Sequence, residues 1–302
     1  MAAGTVRGAR GLAAWLRYEA IYLWPSWRGY SAFNCGFAPV DAEVAGRFPK
    51  EALQIQLYAE LLKQGGGAKV LSGGLLEVAA GRGGGLAYLD DEAPGAELVG
   101  VDRSWMAVRH GRARGLDLRR AAAESLPFAD GSVACVACLD SANTFGDPAA
   151  AFAEMGRVLA PAGTVLHGDF ILGPIEAASA RLEGWAQGAG LKVASFRDVT
   201  ANVVEAIRLD SPRKAAALAQ VPHLLRPWVR ETLTLEGTER YRQWIEGERS
   251  YYLAALRRSG ARRERPASSP RRSGCGGADG RAGGGAARTL SSPAPDRAAG
   301  CG

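Results

Sequence analysis

No run of about 18 uninterrupted apolar residues occurs in the 302-residue chain, so a helix spanning a bilayer is excluded. Cysteine is scarce: five residues, at 35, 135, 138, 275 and 301, an odd number that speaks against a disulfide-stapled secreted scaffold. Net basic charge is missing from most of the chain. Residues 257–302 hold ten arginines against Glu264, Asp279 and Asp296, while residues 1–256 sum to −1, so the net +6 belongs to a tail. A nucleic-acid-binding surface on the body is therefore not expected. What remains, with 47% apolar residues, suffices to bury the core of one large domain or two small ones.

The tail, residues 259–302, has Leu290 as its one large aliphatic residue and no aromatic. It has too little apolar surface to offset the entropy of ordering and reads as disordered. At the other end, Arg7, Arg10 and Arg17 precede the first acid, Glu19, as in an organelle-targeting peptide, but serine is absent and a cytoplasmic protein is expected. Residues 12–30 read as an amphipathic helix stopping before Pro25, with an aromatic stripe of Trp15, Tyr18 and Tyr22. That stripe either packs on the body, lies on a membrane surface or covers a hydrophobic substrate. Residues 1–49 are accordingly assigned to an N-terminal cap.

From residue 50 the pattern becomes regular. KEALQIQLYAELLKQ carries Leu53, Leu57 and Leu61 at helical spacing and ends at Gly65–Gly67. Apolar runs too short for helices follow at 75–79, 97–102, 133–139 and 164–170, with a helix at 148–159 closed by Pro161 and Gly163. A further helix and strand follow across 184–200. This alternation predicts an α/β fold with a mainly parallel sheet and helices on both faces over residues 50–199. Residues 200–258, interrupted by Pro212, Pro222 and Pro227, read as a helical cap. The CVAC run at 135–138 suggests a metal or redox pair, but on a strand these side chains face opposite ways, so buried packing is expected and no metal site.

The most telling segment is LLEVAAGRGGG, 75–85, a strand entering a glycine-rich turn. In open α/β sheets ligands sit at the carboxyl ends of strands, and bare backbone there admits a nucleotide cofactor. A dinucleotide fingerprint starting at Gly81 and Gly83 requires glycine at 86, which is leucine, and Glu77 would repel a pyrophosphate. A nicotinamide-dependent oxidoreductase is thus disfavoured. No GK[ST] follows, which removes the P-loop. Glu77 instead suits a ligand with positive charge. Asp102 ends the next strand 25 residues later, where an acid commonly accepts ribose hydroxyls.

The order EVAAGRGG, VGVD, AESLPFADGS and RVLAPAG resembles that of class I S-adenosylmethionine-dependent methyltransferases, a Rossmann-like fold. The GRGGG loop, DVTANVVEAIRLDSPRK (198–214) and AFNCGFAP (32–39) are similar to the phthiotriolone and related small-molecule methyltransferases, across residues 30–256. The resemblance implies S-adenosylmethionine as cofactor, with Glu77 toward its methionine amine and Ala79, Gly81 and Gly83 as its backbone bed. Asp102 would hold the ribose, Arg103 would flank the adenine, and Ala123 and Glu124 would line the adenine edge. Asp140 would open the loop facing the sulfonium. The family usually has glycine at Ala79 and aspartate at Ala122; losing that aspartate's hydrogen bond weakens the cofactor by about 1.5–3 kcal/mol.

For the chemistry, Asp169 and His167 in LHGDF fall on one strand face, and Asp140 and Asn143 lie in LDSANTF. Asp169 is the preferred base or orienting acid, matching a DF pair in related proteins. His167 is more simply a core histidine. Asn143 stands where some relatives carry an imidazole or a phenol and is left to hydrogen-bond an acceptor. The aromatic N-terminal helix together with Trp228, Tyr241, Trp244, Tyr251 and Tyr252 would roof a small apolar acceptor, methylated at oxygen. The rival reading keeps the fold without catalysis: Ala79, Ala122 and Asn143 mark a degenerate protein that binds cofactor weakly, or not at all, and works through a partner.

Overall fold

The computed structural model describes Glu19, Tyr22 and residues 29–260. Most of the expected N-terminal helix, with Trp15 and Tyr18 of its stripe, and the tail beyond 260 lie outside the described residues. In chain order the elements begin with α1 (Ala42–Arg47), α2 (Ala52–Gly65), β1 (Leu75–Val78), α3 (Gly84–Glu92), β2 (Leu98–Asp102), α4 (Trp105–Arg112) and β3 (Leu118–Arg120). Next come β4 (Val133–Leu139), α5 (Pro148–Val158), β5 (Leu159–Leu172), α6 (Ile175–Gly188) and β6 (Leu191–Asp198). The chain then forms α7 (Thr200–Ala217), α8 (Arg226–Thr232), α9 (Glu239–Ile245) and β7 (Arg249–Arg258).

The strands join one sheet in the order β3-β2-β1-β4-β5-β7-β6, parallel except for β7, which runs antiparallel to both neighbours. Strand order reverses between β1 and β4, because β1 pairs with β2 on one side and β4 on the other. That reversal opens a crevice at the carboxyl ends of these strands. Helices cover both faces, as the Rossmann-like fold requires. Alternation along each strand feeds two cores: Leu75, Cys135 and Tyr251 enter one beneath α2, α3 and α7, while Leu76, Cys138 and Tyr252 enter the other beneath α5 and α6. The two cysteines of CVAC therefore point apart into buried packing, as expected.

Local signals set the helix ends. Asp147 accepts from the Ala150 N–H and Pro148 opens α5, while Ser104 accepts from the Ala107 N–H to cap α4. At the end of α2, Gly66 takes φ 108°, the left-handed closure expected of the glycine run.

Two expectations fail. Pro212 does not interrupt α7: Asp210 and Arg213 on either side of it are tied to Gln54 of α2, and these tertiary contacts hold the helix through the ring. More importantly, 200–258 is not a helical cap throughout, since its last ten residues are β7, inserted between β5 and β6. SYYLAALRR misleads because a strand buried on both faces loses its alternation, and its leucines and alanines favour helix.

Tyr252 anchors β7, its ring stacked 5.5 Å from His167 and 5.1 Å from Phe196. Tyr252→Ala should lower the unfolding free energy in urea by about 3–5 kcal/mol; a loss below about 1 kcal/mol would contradict a central position for this strand.

Candidate active site

Burial forces the acids at the strand ends into close company with backbone donors. After β1 the chain turns through Ala79 at φ 59° and Gly81 at φ 55°. A left-handed alanine costs about 1–2 kcal/mol relative to glycine-like freedom. The Gly81 N–H donates to Asp102 Oδ2 at 2.8 Å and the Ser104 N–H to Asp102 Oδ1 at 2.7 Å, so the end of β2 fixes the loop after β1. Burial, opposed by these two donors, raises the Asp102 carboxyl.

Between these turns lies a slot of about 90 Å³ lined by Ala79–Gly81, Asp102, Arg103, Ala121, Ala123, Glu124 and Asp140. Tyr22 and Ser31–Phe33 lie over it. Glu124 also accepts from the N–H groups of Gly146 and Asp147, which ties the AES segment to the turn before α5. Ala122 does not line the slot; it bridges to Ser125 instead.

Two residues expected at the bed stand behind it. Gly83 does not line the slot, and a β-carbon there would meet Leu116 at 2.5 Å, so this glycine serves packing. Glu77 is fully buried and is reached through Tyr58, whose hydroxyl donates to Oε1 at 2.7 Å and whose ring lines the slot. Its Oε2 has no hydrogen-bond partner among the described residues. Gly85 explains how Tyr58 gets there: a β-carbon at 85 would sit 2.0 Å from the Tyr58 ring.

Tyr58 and Arg82 are the functional residues that sequence reasoning missed. The Arg82 guanidinium donates to the Tyr30 carbonyl at 3.0 Å and stacks on Tyr22 and Phe33, pinning the cover over the slot. For Tyr58 the available signal was a hydroxyl on the apolar face of α2.

A second, larger cavity of about 420 Å³ adjoins the slot. Ala32, Phe33 and Asp140 line both. Asp140 sits at φ 54° just past β4, held by its own N–H to the Gly168 carbonyl at 2.7 Å and by the Cys35 N–H to its Oδ2 at 2.7 Å. Burial raises its carboxyl.

The other catalytic candidates divide. Asn143 lines the larger cavity and gives its backbone and side-chain N–H groups to Asp169 at 2.9 and 2.7 Å. Asp169 is therefore misplaced as a base: it is 2% exposed, lines neither cavity, and both of its oxygens are engaged. His167 is fully buried between the rings of Phe152 and Tyr252, with burial pulling it down to about 3, and lines neither cavity. Of the five aromatics expected to roof the acceptor, Trp244 alone lines the larger cavity; Tyr251 and Tyr252 belong to the sheet.

The residues fit a cationic nucleoside. Glu77, Asp102 and Asp140 surround a bare-backboned turn, and the orphaned Glu77 oxygen calls for positive charge where a diphosphate would be repelled. Burial, above all, pushes Glu77 up to about 8 from an ordinary 4.5. Between those values the folded chain holds a proton that the unfolded chain has released, so stability falls as pH rises through that window. Glu77→Gln should melt roughly 2–6 °C above the parent at pH 8, with the gap closing near pH 4. Scanning calorimetry at both pH values checks this; an equal or lower melting temperature at pH 8 would contradict it.

Comparison with known proteins agrees with this chemistry. Residues 76–167 match the methyltransferase domain family. Over 223 residues the chain is 30% identical to the phthiotriol/phenolphthiotriol dimycocerosates methyltransferase of Mycobacterium tuberculosis (strain H37Rv), spanning 71% of this chain and 79% of that protein. The fold is similar to the crystal structure of the [4+2]-cyclase SpnF, with a TM-score of 0.63 and 18% identity over 83% of this chain and 97% of that one. It is also similar to a geranyl diphosphate methyltransferase in complex with geranyl diphosphate and sinefungin, with a TM-score of 0.60 and 19% identity over 82% of this chain and 99% of that one. The protein's cofactor is thus S-adenosylmethionine, and the chain belongs to the class I S-adenosylmethionine-dependent methyltransferases.

Proposed function

We propose that the protein methylates a small lipophilic molecule at oxygen, with the cofactor in the slot and the acceptor in the larger cavity. The single observation that carries this reading is the position of Asp140, a half-buried carboxylate shared by both cavities. S-adenosylmethionine supplies an electrophilic methyl group on a sulfonium. Aligning an acceptor with that methyl contributes most, up to about 7–11 kcal/mol in favourable cases. Asp140 would accept the acceptor's hydroxyl proton while the oxygen takes the methyl group and the broken sulfur–methyl bond leaves a neutral thioether; its raised affinity for protons suits that task.

The remaining residues prepare this step. Asp102 receives the ribose, Ala79 and Gly81 give the backbone bed, and Arg103, Ala123 and Glu124 border the adenine. Glu77 acts through Tyr58 on the methionine end. Asn143 positions the loop after β4 by holding Asp169, so the absence of an imidazole at 143 does not leave the site without a base. Tyr22 and Ser31–Phe33 border the slot and would exclude water from the bound cofactor.

The acceptor class is supported by the apolar part of the larger cavity, Phe170, Ile207, Leu233 and Trp244. It is also supported by the dimycocerosates named for the mycobacterial relative. Among the described residues no helix is long and apolar enough to cross a membrane.

Methyl-labelled S-adenosylmethionine, incubated with the protein and an organic extract of the source cells, should label a lipophilic product. Hot hydriodic acid should release that label as methyl iodide; label retained on carbon would remove the oxygen assignment. Asp140→Asn should slow labelling by about 10²-fold or more while S-adenosylhomocysteine still binds. Equal rates would remove Asp140 as the base.

A further inference from the structure

The larger cavity is lined by both apolar and basic side chains. Arg181, Arg213, Lys214, Arg240 and Arg249 line it, against Asp140 as its lining acid among the described residues. Two of these cations are neutralised nearby: Arg213 forks onto Asp210, and Lys214 stands 3.2 Å from the same carboxylate. Asp210 itself is buried and does not line the cavity.

The other three lack a proper counter-ion. Arg240 has its nearest carboxylate, Glu231, at 3.9 Å, and Glu231 is already engaged by the backbone N–H groups of Glu239 and Arg240 at the start of α9. Arg249 donates to the neutral amide of Gln243 at 2.9 Å and stacks 5.2 Å from the Phe170 ring. Glu248, beside it in sequence, is held by Arg242 at 3.3 Å. Arg181 has no ion pair among the described residues. Burial, and repulsion from Arg240 across the cavity, depress the Arg249 guanidinium.

Planar guanidinium groups match carboxylate and phosphate oxygens, and a partly buried pair with only distant or shared carboxylates nearby gains most from such a guest. Cys35, whose N–H holds Asp140, lies within electrostatic reach of Lys214 and Arg249, so the basic wall and the transfer point belong to one cavity.

We propose that the acceptor is an amphiphilic anion whose carboxylate or phosphate sits between Arg240 and Arg249 while its apolar body runs along Phe170, Ile207, Leu233 and Trp244 to Asp140. This deepens the reading of the larger cavity as the acceptor site and rests on it. A neutral lipid would leave the arginine pair uncompensated.

Titration calorimetry on the full chain, saturated with S-adenosylhomocysteine, compares octanoate, octyl phosphate and octanol. At least one of the two anions should bind about tenfold or more tightly than octanol, and the stronger of them identifies the group. Arg240→Gln with Arg249→Gln should remove that preference while octanol and S-adenosylhomocysteine bind as before, which also shows that the variant is folded. Equal binding of octanol and both anions by the parent protein, or an anion preference that survives the double substitution, overturns the proposal. Loss of S-adenosylhomocysteine binding in the parent protein would instead strike the cofactor reading, and the anion preference is then measured on the free chain.

Discussion

Three carboxylates brought out of water at the ends of adjacent strands are the constraint on which this structure turns. Glu77, Asp102 and Asp140 belong to β1, β2 and the turn after β4, and burial raises the proton affinity of each. The fold compensates only in part. Backbone N–H groups of Gly81 and Ser104 hold Asp102, that of Cys35 holds Asp140, and a tyrosine hydroxyl reaches Glu77. A sulfonium with an ammonium group supplies the missing positive charge, whereas a diphosphate would add to the repulsion.

The same constraint explains why the glycine loop is longer than a cofactor bed needs. Gly81 stays close to the slot, but Gly83 accommodates Leu116 and Gly85 admits the Tyr58 ring. The loop is therefore shaped as much by the residues that serve and cover the acids as by the cofactor. Arg82, buried in the middle of this loop, holds the covering segment through Tyr30, Tyr22 and Phe33.

Much of this was legible in the sequence because local chemistry dictates it. Short apolar runs at 75–79, 97–102 and 133–139 marked β1, β2 and β4, and Glu77 within the first, Asp102 ending the second and Asp140 after the third marked the crevice. Less was legible where long-range packing decides. β7 looked helical because both of its faces are buried. Asp169 looked like a base because its place in the strand is right, but Asn143, 26 residues earlier in the chain, folds back and takes both of its oxygens. Tyr58 lies on a helix distant from the motif it serves. The arginines of the larger cavity come from α6, α7, α9 and the start of β7, and no linear pattern joins them.

The acid-lined slot is tested most directly by calorimetric titration of the purified chain with S-adenosylmethionine, S-adenosylhomocysteine and NADH. A slot shaped for a cationic nucleoside gives saturable binding of the first two at one site and no heat with NADH. Binding of NADH, with neither adenosyl compound taken up, would contradict it.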